Sequence, residues 1–254
     1  MGAAKRRWRK AQSRPHAADN APVSAGSAER LTLEIDETTR VSALLQLPPA
    51  ATACFVLAHG AGAGMEHPSM SSVATELATR NIATLRFQFP YMERGSRRPD
   101  PPPLCHATVR AAVAEATRLA PTLALIAGGR SFGGRMTSQA QAIKPLPGVK
   151  GLAFIGFPLH PAGKPSAERA EHLSEVKIPM LFLQGTRDEL AKLELLQPLI
   201  DRLGARATLK LLQDADHSFH VRARTGRKDA EVRAEMLDAL AVWIERGLNT
   251  AARG

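Results

Sequence analysis

Three short stretches of the chain hold the side chains best suited to breaking covalent bonds. The first, Gly128-Gly129-Arg130-Ser131-Phe132-Gly133-Gly134, follows the apolar run 123–127. Glycine adopts backbone conformations closed to other residues and lets neighbouring backbone approach closely. Four glycines around one serine therefore describe a tight turn that presents Ser131. Gly129 and Gly133 complete G-x-S-x-G between an expected strand and an expected helix, the spacing of a nucleophile elbow. The N–H of Phe132 then falls at the start of the helix, where backbone donors and the dipole favour a developing negative charge. A serine hydroxyl also needs a base within hydrogen-bond reach. The stretch 214–220, Asp-Ala-Asp-His-Ser-Phe-His, follows the last expected strand and offers His217, with His220 in reserve. The base in turn needs an acid to fix its tautomer. In 182–190, Asp188 lies three residues past Gly185, and Glu189 beside it is expected to open the next helix. Ser131, Asp188 and His217 thus form an ordered nucleophile, orienting acid and general base, and the chemistry they imply is acyl transfer.

Elements to position such residues can be read from the periodicity. Residues 30–37 and 41–49 alternate apolar and polar side chains around a polar turn, the pattern of a half-buried hairpin. From residue 51 the character changes. The runs 51–60, 82–90, 122–129, 149–158, 178–185 and 207–214 are mostly continuous in apolar residues, as strands covered on both faces are. Helical spacing separates them: Met70, Val73, Ala74 and Leu77; Val109, Ala112, Val113 and Ala116; Met136, Ala140 and Ile143; Leu193 to Leu203, ended by Gly204; and Val232 to Leu248. This alternation predicts a doubly wound, mostly parallel α/β sheet with an N-terminal antiparallel hairpin, as one domain over 29–250. Ligands of such sheets bind beyond the carboxyl ends of the strands, which is where Ser131, Asp188 and His217 fall.

Bulk composition narrows the function classes. The net charge of +10 suggests nucleic acid, but half of it sits in residues 1–28, where Lys5, Arg6, Arg7, Arg9, Lys10 and Arg14 face Asp19 alone. That segment has no apolar periodicity and reads as a disordered, solvated basic tail. It lacks the apolar core of a signal peptide, and no specific nucleic-acid or membrane partner is expected. No apolar run approaches the roughly 20 residues of a membrane span. Cys54 and Cys105 form neither a disulfide framework nor a metal cluster. They suit buried free thiols in the cytoplasm. No metal or organic cofactor is implied.

The residues quoted so far, with the stretches 57–68, 85–100, 156–165 and 181–190, resemble the α/β-hydrolase superfamily over roughly residues 30–248. They are similar to its small dienelactone-hydrolase-like serine hydrolases, and within them to a bacterial group related to a subunit of the animal NSL acetyltransferase complex. Dienelactone hydrolases carry a cysteine where this chain has Ser131, so their particular substrate does not transfer. The resemblance implies that the glycine-rich turn His59–Gly64 supplies a second oxyanion donor, the N–H of Ala61 or, next to it, Gly62. That turn has no G-K-[ST], and Met65 stands where a dinucleotide fingerprint needs its third glycine. His59 is expected to brace the turn. His59, Tyr91, Arg94 and His160 are candidate substrate contacts, since they occupy loops at the same sheet edge; Arg97 and Arg98 lie beside Arg94. Only about 20 residues, 157–177, stand where a lid could form, so no large lid and a small acyl substrate are expected. A non-catalytic scaffold that binds a protein or polyanion is the alternative reading of the same fold.

Overall fold

The computed structural model describes residues 26–251, and side chains as far as Gly247. The basic tail expected at 1–28 therefore lies outside the described residues except for its last three.

The hairpin forms as expected, from β1 (Glu29–Glu34) and β2 (Arg40–Gln46). There follow β3 (Ala53–Ala58), α1 (Pro68–Ala78), β4 (Ile82–Phe87), the single turn α2 (Pro90–Glu93), α3 (Pro102–Leu119) and β5 (Ala124–Arg130). The chain continues with α4 (Phe132–Ile143), β6 (Val149–Ile155), β7 (Met180–Gly185), α5 (Leu193–Leu203), β8 (Ala207–Leu212) and α6 (Asp229–Ala251). The eight strands form one sheet in the order β1-β2-β4-β3-β5-β6-β7-β8. Pairing is antiparallel for β1/β2 and β2/β4 and parallel from β4 through β8.

Helices cover both faces. Met70, Val73 and Leu77 of α1 and Val232, Met236, Leu237, Leu240 and Ile244 of α6 pack on one side, against Phe55, Leu57 and Leu181. On the other side Val109, Ala112, Val113 and Ala116 of α3, Met136 of α4 and Leu196, Leu199 and Ile200 of α5 meet Val56, Leu85, Phe154 and Phe182. β3, β4 and β7 are buried at every position, which explains their unbroken apolar runs. Each such Leu, Val or Phe contributes about 1.5–3 kcal/mol by leaving water.

Two local expectations are corrected. β8 was expected to be covered on both faces, but it is the sheet's edge and only Leu212 in it is buried. Ile143, expected on the core face of α4, is 71% exposed at the helix's last position. Segment 157–177 carries a 3₁₀ stretch, Glu168–Glu175, whose Ala170 and Leu173 pack into the core, and it forms no separate lid domain.

The chain steps from β3 outward to β4 and then back across to β5 on the other flank of β3. That reversal opens a crevice between the carboxyl ends of β3 and β5, the usual ligand position in an open α/β sheet.

Candidate active site

Ser131 stands at the head of this crevice, between the end of β5 and the start of α4. Its backbone is held at φ 49°, ψ −115°, a conformation strained for a residue with a side chain. The surrounding glycines show what holds it there. A Cβ on Gly128 would lie 1.9 Å from the carbonyl oxygen of Ala153, and one on Gly129 2.3 Å from that of Ala58. A Cβ on Gly133 would lie 2.5 Å from the carbonyl oxygen of His59. Bare backbone lets β5 and the first turn of α4 press against β3 and β6, and the Ser131 N–H bonds the Ile155 carbonyl at 3.0 Å.

The three residues marked out by strand-end position are brought together. The Ser131 Oγ lies 2.8 Å from Nε2 of His217, and Nδ1 of His217 lies 2.7 Å from Oδ2 of Asp188. Because the Asp188 carboxylate can only accept, Nδ1 carries the ring proton and Nε2 turns its lone pair to the serine hydroxyl. The Asp188 side chain is fully buried. Gln184 Nε2 donates to its Oδ2 at 2.5 Å and the Leu190 N–H to its Oδ1 at 2.8 Å. An imidazole so placed can take the hydroxyl proton, and the carboxylate can balance the charge that results.

The His217 loop has its own scaffold. The Asp216 carboxylate accepts from the N–H groups of Ser218 and His220, at 2.8 and 3.0 Å, and Asp214 and Phe219 both sit at φ 62°. His220, the reserve base, faces away: it is exposed and bonds Asp229 at 2.9 Å. Glu189 does not open a helix. It lies in a turn ahead of α5, which starts at Leu193.

The glycine-rich turn after β3 is braced from two sides. His59 is buried. Its Nε2 accepts from the Phe89 N–H at 3.0 Å, so Nδ1 carries the proton and donates to the Gly60 carbonyl at 2.7 Å. Burial pushes its pKa down to about 4, so the ring stays neutral. In a trans peptide the C=O and N–H point opposite ways, so the clamp on Gly60 also aims the Ala61 N–H. Tyr91 does the same one peptide later, donating its hydroxyl to the Ala61 carbonyl at 3.0 Å and thereby aiming the Gly62 N–H. Phe132 stacks edge-on against Tyr91 and Phe89, tying the turn to the start of α4.

Three of the four expected substrate contacts are thus corrected. His59 and Tyr91 are fully buried and occupied with backbone. His160 is also fully buried: its Nδ1 donates to the Pro161 carbonyl at 2.9 Å and its Nε2 accepts from the Lys192 N–H at 3.3 Å. It ties segment 157–164 to the Asp188 turn. Arg94 is exposed and committed to Asp100 at 2.5 Å. Sequence reasoning passed over Gln184, which holds Asp188, and Gly156, on which the His217 ring rests. A Cβ on Gly156 would lie 3.5 Å from that ring.

A serine hydroxyl, an imidazole and a buried carboxylate in line at the switch point of an open α/β sheet are the parts of an α/β hydrolase. A family model described as an alpha/beta hydrolase domain matches residues 51–245, so the chain belongs to that family and is a hydrolase. Solved structures agree in fold. Dienelactone hydrolase from Anabaena variabilis superposes with a TM-score of 0.72 at 19% identity, covering 88% of this chain and 99% of its own. An α/β serine hydrolase without lid from Xanthomonas campestris gives 0.66 at 22%, covering 88% and 98%. Est1E from Butyrivibrio proteoclasticus, with ferulic acid bound, gives 0.64 at 17%, covering 83% and 99%. Among the described residues no helix is long and apolar enough to cross a membrane.

Proposed function

We propose that the chain is a serine hydrolase that cleaves a small acyl ester, or a related thioester or amide, through an acyl-enzyme. The observation that carries the reading is the unbroken line from Ser131 Oγ through the His217 ring to Asp188, at 2.8 and 2.7 Å.

Ser131 attacks the substrate carbonyl carbon while His217 Nε2 takes its proton. The carbonyl oxygen becomes an oxyanion, held by the N–H groups of Phe132 and Ala61, with Gly62 beside them. Donors fixed in place beforehand do the most for such a transition state, each worth about 10²–10³ in rate. His217 returns the proton to the leaving group as the tetrahedral intermediate collapses to an acyl-serine. Water then attacks the acyl carbon as His217 takes its proton, and His217 returns that proton to Ser131 Oγ as the Oγ–acyl bond breaks and the carboxylic acid leaves. Asp188, with Gln184 and the Leu190 N–H bonded to it, keeps the imidazole oriented and balances its transient charge. The short 157–177 segment leaves the crevice without a large cover, which suits a small substrate taken from water.

A fluorophosphonate probe tests this reading directly. Wild type is expected to label at Ser131 and to hydrolyse p-nitrophenyl acetate, and Ser131→Ala to do neither. Absence of labelling in wild type, or equal labelling of both proteins, refutes it and favours a non-catalytic scaffold.

A further inference from the structure

One turn along α4 from Ser131 lies a cation that the acyl-transfer chemistry does not use. The Arg135 N–H bonds the Ser131 carbonyl at 3.1 Å. Its guanidinium lies 5.9 Å from the centre of the Phe132 ring, the residue whose N–H faces the developing oxyanion. The Arg135 Nε is buried and has no hydrogen-bond partner, and no carboxylate of the described residues forms an ion pair with the group. The groups that act on it are basic or neutral side chains. Arg169, on the 3₁₀ stretch, repels it. His106 of α3 bonds Gln139 at 3.2 Å, and His172 bonds the Ser138 hydroxyl at 2.7 Å. Burial, with repulsion from Arg135, pushes His172 down to about 4 and lowers His106, so both rings stay uncharged beside it. Asp100 is held by Arg94 and exerts its field on Tyr91 and Cys105.

Arg135 is half-buried, with only its Nε shut off from water and unpartnered; a guanidinium partly desolvated without a counter-ion costs free energy, and its planar fork matches a carboxylate bidentately. We propose that Arg135, with Arg169 behind it, seats a carboxylate carried on the acyl part of the substrate, so that the enzyme's substrates are half-esters of dicarboxylic acids or similarly acidic acyl groups. This rests on the reading of Ser131 as nucleophile. The acyl side follows from the layers. The leaving group must face His217 to receive its proton, and the His217 loop packs with α1 and α6 through Ala215, Phe219 and Val221. Arg135 lies across the sheet from them, in the layer of Cys105, Phe132 and Leu173. The acyl chain therefore extends toward α3, α4 and the 3₁₀ stretch.

The test compares p-nitrophenyl hydrogen adipate with its methyl ester, which is nearly isosteric and uncharged. Wild type is expected to favour the acid in kcat/KM. Arg135→Gln is expected to lower the acid-to-ester ratio roughly 10- to 100-fold, the worth of a hydrogen-bonded charge, and Arg135→Lys is expected to keep part of it. Arg169→Gln lowers the ratio by a smaller factor and supplies the test if Arg135→Gln does not fold. A wild-type ratio near one overturns the subsite. So does an unchanged ratio in folded variants that still label with fluorophosphonate. Failure of wild type to label overturns the nucleophile reading and the subsite with it, so the two failures are distinguishable.

Discussion

Replacing Gly133 by alanine probes how closely the two halves of the crevice are fitted. The new Cβ would stand 2.5 Å from the His59 carbonyl oxygen and 2.6 Å from that of Ala58, where ordinary contact begins at 3.4 Å. Both obstructions are backbone at the end of β3, so neither can swing aside as a side chain would. The first turn of α4 and the end of β3 must separate by about 0.9 Å to reach the 3.4 Å contact. Forced overpacking of this kind costs roughly 1–3 kcal/mol of stability. The catalytic loss is expected to be larger, because Phe132 rides on one of the displaced segments and Ala61 on the other. A donor moved by 1 Å is close to a donor removed, so kcat/KM for p-nitrophenyl acetate should fall about 10²-fold. The fluorophosphonate labelling rate should fall with it. Gly247→Ala at an exposed position of α6, where a Cβ meets nothing within 4 Å, is the control and should be neutral or gain about 0.5–1 kcal/mol. A folded Gly133→Ala protein with kcat/KM within twofold of wild type would refute the idea that this contact sets the oxyanion geometry.

Three further outcomes follow from the same structure. Asp188→Asn keeps the size of the side chain but lets it donate to His217, which favours the wrong tautomer; kcat should fall about 10⁴-fold with little change in KM. Gln184→Leu removes the donor to Asp188 and orphans the Phe157 N–H that Gln184 Oε1 accepts at 2.9 Å, so urea titration should show a loss of about 1–3 kcal/mol and activity should drop as well. His59 is neutral in the fold down to about pH 4 but protonates near its ordinary 6.5 once unfolded. The unfolded state therefore binds the extra proton within that window, and stability must fall as pH drops from 6.5 toward 4, by up to about 3 kcal/mol. His172, pushed down to about 4 likewise, adds to the wild-type slope. The readout is accordingly the difference in slope between wild type and His59→Asn, and equal slopes would count against a buried neutral imidazole at 59.

The line of Ser131, His217 and Asp188 that the structure brings together was legible because each member is announced locally. Ser131 is flanked by glycines whose need is steric, and Asp188 and His217 lie within five residues of the ends of the strands before them. The misreadings share another origin. Tyr91, His59 and His160 look like binding residues in a linear string, yet Tyr91 gives its hydroxyl to Ala61, and each imidazole divides its nitrogens between the next residue's carbonyl and a distant N–H, that of Phe89 or Lys192. Nothing within a few residues of them reveals those partners. β8 carried a weak signal that was overlooked. Thr208 and Lys210 alternate with Leu209 and Leu211, which is how a half-exposed edge strand reads.

The least legible feature is how His217 reaches Ser131 at all. Ser131 follows β5 and His217 follows β8, three strands away in the sheet. With neighbours about 4.8 Å apart, that is some 14 Å. The 2.8 Å bond between them therefore requires the loop after β8 to lean back across the ends of β7 and β6. Both crossings are made over glycine. A Cβ on Gly185, the last residue of β7, would lie 2.3 Å from the Ala215 carbonyl oxygen, and one on Gly156, just past β6, would only touch the His217 ring and its carbonyl, at 3.5 Å. Gly156 also sits at φ 70°, where a side chain is strained. The Arg187 N–H, bonded to the Ala215 carbonyl at 2.9 Å, pins the loop at the first crossing, and Asp188, three residues past Gly185, takes the ring's Nδ1. One glycine-ended strand thus lowers the barrier to the loop while the residues directly after it bind the loop down. Gly185 at the end of one apolar run and Gly156 near the end of another were visible in the sequence from the start; their meaning depended on a loop that passes over them from another strand.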